Sequence, residues 1–480
     1  MKKIALPLIG LCSLLILLSC SEDRDDVQIS NNLEIKNFIY SAMNIYYLYK
    51  PDVPVLANDF FDSQADLNIY LDPFNTPEDL YEDLLSNADR FSFMTDDYRE
   101  LENRFAGVSK DNGLEYRLMR VSPGSDEIIG YVRYIIPNSN ASTKDIKRGD
   151  AFTKVNNTPL TITNYLDLLA LDTYTLTLAD LTDTGNAVSI TENGRSVTLT
   201  KEEGLIENPI LIAKTLNISG QKIGYLMYNA YTADFDDELN AAFAQFKTDG
   251  ITDLVLDLRY NGGGSVESAI DLTSMITGQF NGEVITKQQW NPEIQAAFEA
   301  EDPEALIDRF NNTIRTGESI NSLNLGRLFV IGTGSTASAS ELTIIGLKPY
   351  INVQTIGTTT VGKFQASTTL YDSENFSRQN VNPNHFYAIQ PLIYTYANSA
   401  GIVGPPTGIE PDFEIAERAS NLGVLGDPNE PLLKMALDQI LGRSASTKSF
   451  ENTTHLEPVG ESKMFNPDFQ RMYVLDLPNS

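Results

Sequence analysis

Apolar residues recur with a helical period in two early stretches, LEIKNFIYSAMNIYYLY (33–49) and EDLYEDLLSNADRFSFM (78–94), joined by a connection containing Pro and Asp. The spacing predicts a small helical region over residues 33–107. Beyond it the texture changes to short β-rich runs, EYRLMRV, IIGYVRYII, FTKVNN and SVTLTK, separated by Gly, Asn, Asp and Pro turns. These predict a compact β-rich module over 108–202. From 203 to 442 strand-like and helix-like runs alternate: KIGYLMY, DELNAAFAQFK, LVLDL (254–258), a helix from Val266 to Ile276, LFVIG (328–332), a helix from Ser338 to Leu347, and VQTIG (353–357). Such alternation predicts a largely parallel sheet with both faces covered, whose ligands gather at the carboxyl ends of the strands. Residues 443–480 are polar, and the pattern predicts a loose tail.

At 480 residues the chain exceeds the size of one hydrophobic core, and 42% apolar residues support several. Lys2, Lys3, the apolar run that follows and the end Leu17-Leu18-Ser19-Cys20 read as an export signal over 1–20. That end resembles the lipobox at which a new N-terminal cysteine is lipidated; the other reading is an ordinary signal peptide with an accidental cysteine. Cys20 is the only cysteine outside the apolar segment, so no disulfide is expected in the mature chain. The stretch 21–32 opens with SEDRDD, either an acidic surface-export tag or a plain solvated tether. A formal charge of −30 makes nucleic acid and anionic lipid surfaces poor partners. The expected location is the cell envelope, anchored through Cys20 in the outer membrane on its periplasmic face or at the cell surface.

Of two histidines, His455 lies in the polar tail, and His385 in PNHFYAI reads as a residue lining a strand. Multi-His or multi-Cys zinc sites are thus not expected. Lysine is the remaining nitrogen base, and bringing it from a pKa of about 10.4 to near 7 costs roughly 4 kcal/mol, which burial can supply. Lys363, in TTTVGKFQAS, has few charged neighbours in sequence; it reads as either a desolvated base or a snorkelling surface lysine. In TASASEL (336–342), Ser338 and Glu341 have the spacing of a capping box, and Ser338 is equally placed as a nucleophile at a helix N-terminus. LVLDLRYNGGGSV (254–266) ends a buried strand in three glycines ahead of a helix, a turn that brings backbone N–H groups close to a ligand.

Together TASASE, a lysine 25 residues after Ser338 in a GK context, DLRYNGGG and the late GIEPD (408–412) resemble the C-terminal processing peptidases, the tail-specific proteases of the S41 Ser/Lys class. The resemblance implies a crotonase-like α/β core over 203–442, a PDZ-like domain over 108–202 and no metal or organic cofactor. It makes Ser338 the nucleophile, Lys363 the general base, and the N–H groups of Gly262 or Gly263 and of Ala339 the oxyanion donors. A glutamine often stands four residues after the lysine in the family; here that place holds Ser367, with Gln365 the nearest glutamine. In the module, DIKRGDAFTKVNNTPLT (145–161) resembles part of a PDZ domain, and Gly113, Leu114 and Tyr116 mark the expected carboxylate-binding loop, which Glu115 interrupts. The expected activity is endoproteolysis of unfolded or C-terminal polypeptide segments. Two other readings stay open: a catalytically silent peptide- or ligand-binding lipoprotein on the same fold, and a hydrolase of non-peptide esters.

Overall fold

The computed structural model describes residues 24–183, 188–443 and 456–475, with side chains from Asn32 onward. The export signal, Cys20 and His455 lie outside the described residues.

The N-terminal region is helical where the pattern is periodic: α1 (Arg24–Tyr46), α2 (Gln64–Leu71) and α3 (Pro77–Asp83). Ser63 caps α2, while Thr76 and Asp79 close a reciprocal box around α3 with Pro77 in its first turn. Phe38, Ile39 and Met43 of α1 pack on Leu71 and Leu80, and also on Leu370 and Ile389 of the later core, so this region is joined to the rest by apolar contact. The second expected helix stops at Asp83 instead of running to Met94. Asp89 accepts the N–H groups of Phe91 at 2.8 Å and Ser92 at 2.9 Å, which turns the chain before a short strand, Phe93–Thr95. A further helix, α4 (Tyr98–Phe105), leads into the module.

The module is an antiparallel sheet built from β1 (Leu114–Arg120), β2 (Ile128–Ile135), β3 (Ala151–Val155), β4 (Thr173–Asp183) and β5 (Val188–Thr200), paired in that order. The short helix α5 (Tyr165–Ala170) connects β3 to β4.

The core follows as β6 (Ile210–Ile218), β7 (Gln221–Tyr228), α6 (Asp236–Asp249), β8 (Asp253–Asp257), β9 (Gly264–Ser265), α7 (Val266–Thr277), β10 (Val284–Trp290), α8 (Pro292–Glu301) and β11 (Ile307–Arg309). Then come β12 (Arg327–Gly332), α9 (Ala339–Leu347), β13 (Asn352–Gly357), β14 (Gln365–Thr368), β15 (Leu392–Asn398), β16 (Phe413–Glu414) and α10 (Pro431–Ile440). One six-stranded sheet has the order β6-β7-β8-β12-β13-β16 and is parallel from β7 onward. Its faces alternate as a strand period requires: Leu254 and Leu256 pack with Phe243, Leu272 and Leu342, whereas Val255 packs with Leu433 and Leu437. The carboxyl ends of β8 and β12 lie side by side, Asp257 opposite Ile331, and the glycine turn and TASASEL leave from those ends.

The expected loose tail is not loose over 456–475. β17 (Glu457–Glu461) adds antiparallel to β1 of the module, and β18 (Met472–Val474) lies parallel between β9 and β14 of a second core sheet. Strands of three to five residues leave almost no periodic signal; pairing with existing edges forms them.

Candidate active site

TASASEL carries three hydroxyl residues where β12 hands over to α9, and two of them have structural duties. Thr336 Oγ1 donates to Leu258 O at 2.7 Å, and Ser340 Oγ donates to Asn261 O at 3.1 Å. Ala337 N–H also donates to Asn261 O, at 3.1 Å. The loop is thereby fastened to the glycine turn after β8. Ser338 differs: its backbone has φ 65° and ψ −116°, sparsely populated for a residue with a Cβ, and its hydroxyl has no hydrogen-bond partner among the described residues. Such strain costs about 1–3 kcal/mol and persists only where neighbours enforce it.

Glu341 is one of those neighbours. Its buried carboxylate accepts Ser338 N–H at 2.8 Å, Gly362 N–H at 2.8 Å, Lys363 N–H at 2.9 Å and the Thr360 hydroxyl. A single oxygen, Oε2, takes both the Ser338 and the Lys363 N–H. Burial pushes this carboxyl up, and the donors work against that push. The loop carrying Lys363 is set by Gly362, at φ 83°, where a Cβ would lie 2.4 Å from Pro406 O and 2.5 Å from Gly408 N. GIEPD is the other side of this contact: Ile409 N–H donates to Thr360 Oγ1 at 2.7 Å, and Asp412 accepts Thr355 N–H at 2.8 Å.

The Lys363 side chain is fully buried, its amine 5.2 Å from the centre of the Phe91 ring and without a hydrogen-bond partner among the described residues. Burial, and next the Arg471 guanidinium, push its pKa well below the usual lysine value, against the pull of Asp89 and Glu341. An unpartnered serine hydroxyl and an unpartnered, neutral-leaning amine thus sit on two loops clasped by one carboxylate.

Residues 222–415 match the model of peptidase family S41, and residues 34–93 match the peptidase S41 N-terminal domain. The chain belongs to peptidase family S41. Among curated relatives it is 26% identical over 180 residues to a probable CtpA-like serine protease of Staphylococcus aureus strain N315, covering 36% of this chain and 33% of that protein. It is 23% identical over 232 residues to the chloroplastic C-terminal processing peptidase of Tetradesmus obliquus, covering 46% and 43%. The chain therefore spans about a third of the length of the first of these relatives. A solved structure from Bacteroides fragilis NCTC 9343, described as an S41 protease, superposes with a TM-score of 0.64 at 24% identity, covering 84% of this chain and 97% of that one, a likeness of fold.

The S41 fold places the remaining expected residues less uniformly. Ser367 Oγ lies 2.8 Å from Gln390 Oε1 and 3.0 Å from Met472 O, so it holds β18 in its sheet and is not bonded to Lys363. Gln365 opens β14 half-buried, with no bond to Lys363 either. Neither side chain is bonded to Lys363, and the Ser367 hydroxyl is held by Gln390 and Met472 instead. Gly263 N–H is taken by Asn261 Oδ1 at 2.8 Å, which removes it as an oxyanion donor. No described residue accepts from the N–H of Gly262 or of Ala339. In the module, Gly113 N–H donates to Asp111 at 2.6 Å and Leu114 N–H to Asn112 at 3.0 Å, so the expected carboxylate loop has spent its first two donors. Tyr116 N–H lies 3.3 Å from Ser462 Oγ. His385 pairs with Asp372 at 2.9 Å, and no contact joins it to Ser338.

Phe91 and Arg471 were not read from the sequence, and Asn261 was seen there only as part of the DLRYNGGG turn. Asn261 binds Tyr228 O at 2.8 Å as well as the groups above and so joins the glycine turn to the serine loop. Phe91 and Arg471 wall the lysine. The S-x-x-E spacing was a usable signal for Glu341, though it gave no hint of the lysine loop.

Proposed function

We propose that this S41 chain is a serine peptidase acting on polypeptides through Ser338 and Lys363. The observation that carries the reading is the clasp: one Glu341 oxygen binds the backbone N–H of both residues, whose buried side chains have no hydrogen-bond partner among the described residues. Lys363, whose pKa burial pushes well below the usual lysine value, accepts the proton of Ser338 as Oγ attacks the scissile carbonyl. Negative charge then develops on the carbonyl oxygen, with the N–H groups of Gly262 and Ala339 available to it and the N-terminus of α9 behind. Collapse breaks the C–N bond, the Lys363 ammonium returns its proton to the leaving amine, and an acyl-serine remains. Water adds to the ester with Lys363 again taking a proton, and the product acid leaves as Ser338 is restored.

Wild type is expected to cut an unfolded protein such as casein, while Ser338→Ala and Lys363→Ala fall by roughly 10⁴-fold or more yet keep native circular dichroism. Equal cutting by all three would remove the dyad. We read the module as PDZ-like from its β1–α5 groove. We read Cys20 as a lipid anchor in the outer membrane; loss of palmitate labelling in Cys20→Ser tests it, and unchanged labelling ends that reading.

A further inference from the structure

A polypeptide cannot reach Ser338 or Lys363 as they stand, because both are 0% exposed. The covering chain is the protein's own. From β17 to β18 it crosses first the module's groove and then the catalytic turn. β17 extends the module's sheet at β1, with Val459 on the module's apolar cluster, and Met464 and Phe465 reach the groove between β1 and α5, where a cavity of about 370 Å³ remains. Further on, a Cβ at Gly262 would sit 3.1 Å from Gln470 N, and one at Gly263 would sit 2.4 Å from Arg471 O and 2.7 Å from the Ser338 Cβ. β18 then fills the place between β9, which leaves the glycine turn, and β14, which leaves Lys363. An extended substrate would take these same edges.

The groove's chemistry fits this occupant better than a free chain terminus. Glu115 interrupts the loop where a carboxylate was expected, and with Glu207 it faces Lys463, whose amine lies 3.6 Å from Glu115 and 2.6 Å from Glu207. Ser462 Oγ donates to Glu115 as well, at 2.5 Å. A terminal carboxylate would meet Asp111, Glu115 and Glu207 there, with the Gly113 and Leu114 donors already used. Glu461 meanwhile pairs with Arg133 of the module and accepts from Ser335 Oγ at 2.9 Å, so the same segment grips the loop leading to the nucleophile.

We infer that segment 457–474 is a built-in occupant of the substrate path, which an outside polypeptide displaces from β1, β9 and β14 before Ser338 can act. The inference rests on the peptidase reading for its meaning, and its test is separable from it. In full-length Ser338→Ala, where nothing is cut, excess casein is expected to speed hydrogen exchange at the amides of 457–461 and 472–474. In the full-length enzyme, Lys463→Glu, which sets a fourth acid beside Asp111, Glu115 and Glu207, is expected to raise casein cleavage about ten-fold if roughly one molecule in ten is open beforehand. Glu115→Lys added to Lys463→Glu is expected to reverse the gain. Faster exchange with no cutting by wild type would keep the displaced strand and end the peptidase reading. Cutting by wild type while those amides stay protected in the Ser338→Ala protein would overturn the inference, as would slower cutting by folded Lys463→Glu.

Discussion

Lys363 is a cost to the fold as well as its proposed base. Its amine is buried without a hydrogen-bond partner among the described residues, and a lysine whose folded pKa is depressed binds fewer protons folded than unfolded. Stability at this position therefore rises with pH up to the ordinary lysine value of about 10.4 and is lowest in neutral and acid solution. Lys363→Met keeps the volume and removes the charge. It is expected to raise Tm at pH 7, with the gain shrinking steadily toward pH 10, while cleavage is abolished; a gain that does not change with pH would contradict a depressed lysine pKa at this position. Wild-type cleavage is expected to fall on the acid side as Lys363 takes a proton, without a matching alkaline loss from this residue below pH 10. The lysine could be found from its GK context and spacing, but its solvent exposure could not, because Phe91 and Arg471, which bury it, come from opposite ends of the chain.

At the level of elements, the first turn of α9 does more than begin a helix. Through Glu341 it holds the lysine loop to the serine loop, four acceptor contacts from one side chain. Glu341→Gln turns an amide NH₂ toward groups that are themselves donors, and leaving such buried donors unmatched costs about 1–3 kcal/mol each. The variant is expected to lose that order of stability in urea melts and to lower kcat with KM little changed, the pattern of a positioning residue; a change confined to KM would place Glu341 in substrate binding instead. Elements built around apolar runs were legible in sequence: the buried strands β8, β12 and β13, and helices α7 and α9 close to their observed ends. The stretch 84–94 was misread because its apolar residues kept a helical spacing while Asp89 captured the backbone N–H groups that would have continued the helix. β17 and β18 were missed because their residues are polar or few, and their stability comes from partners more than 100 residues away. The same distance explains Ser367, whose hydroxyl serves Met472 of β18 and not the lysine four residues before it.

Across the whole molecule, buried arginines join module, core and late chain. Arg259, fully buried, pairs with Asp257 at 2.7 Å, Glu430 at 2.7 Å and Glu417 at 3.1 Å, tying the end of β8 to the start of α10. Arg148 of the module reaches the same Glu417 at 2.8 Å and the Tyr260 hydroxyl at 2.6 Å. Burial would raise Glu417, but the two guanidiniums overcome it and hold the carboxyl at about 2. A depressed carboxylate contributes stability above its unfolded value of about 4.5, and that stability is lost as pH falls toward 2. Arg148→Met is expected to cost about 3–5 kcal/mol at pH 7 and to flatten the acid limb between pH 4.5 and 2; an unchanged acid limb would mean Arg259 alone sets Glu417.

The strand seated beside the glycine turn has a kinetic meaning of its own. Being tethered, it competes with every visiting chain at an effective concentration on the order of millimolar, whatever the amount of enzyme present. A short peptide at micromolar level would be turned away by arithmetic alone. A long unstructured chain, able to hold the module's edge while it feeds the catalytic edges, gains the same multivalent advantage as the tether. Selection for extended polypeptide can then arise from competition within one molecule, with no need for a preferred sequence at the bond that is cut.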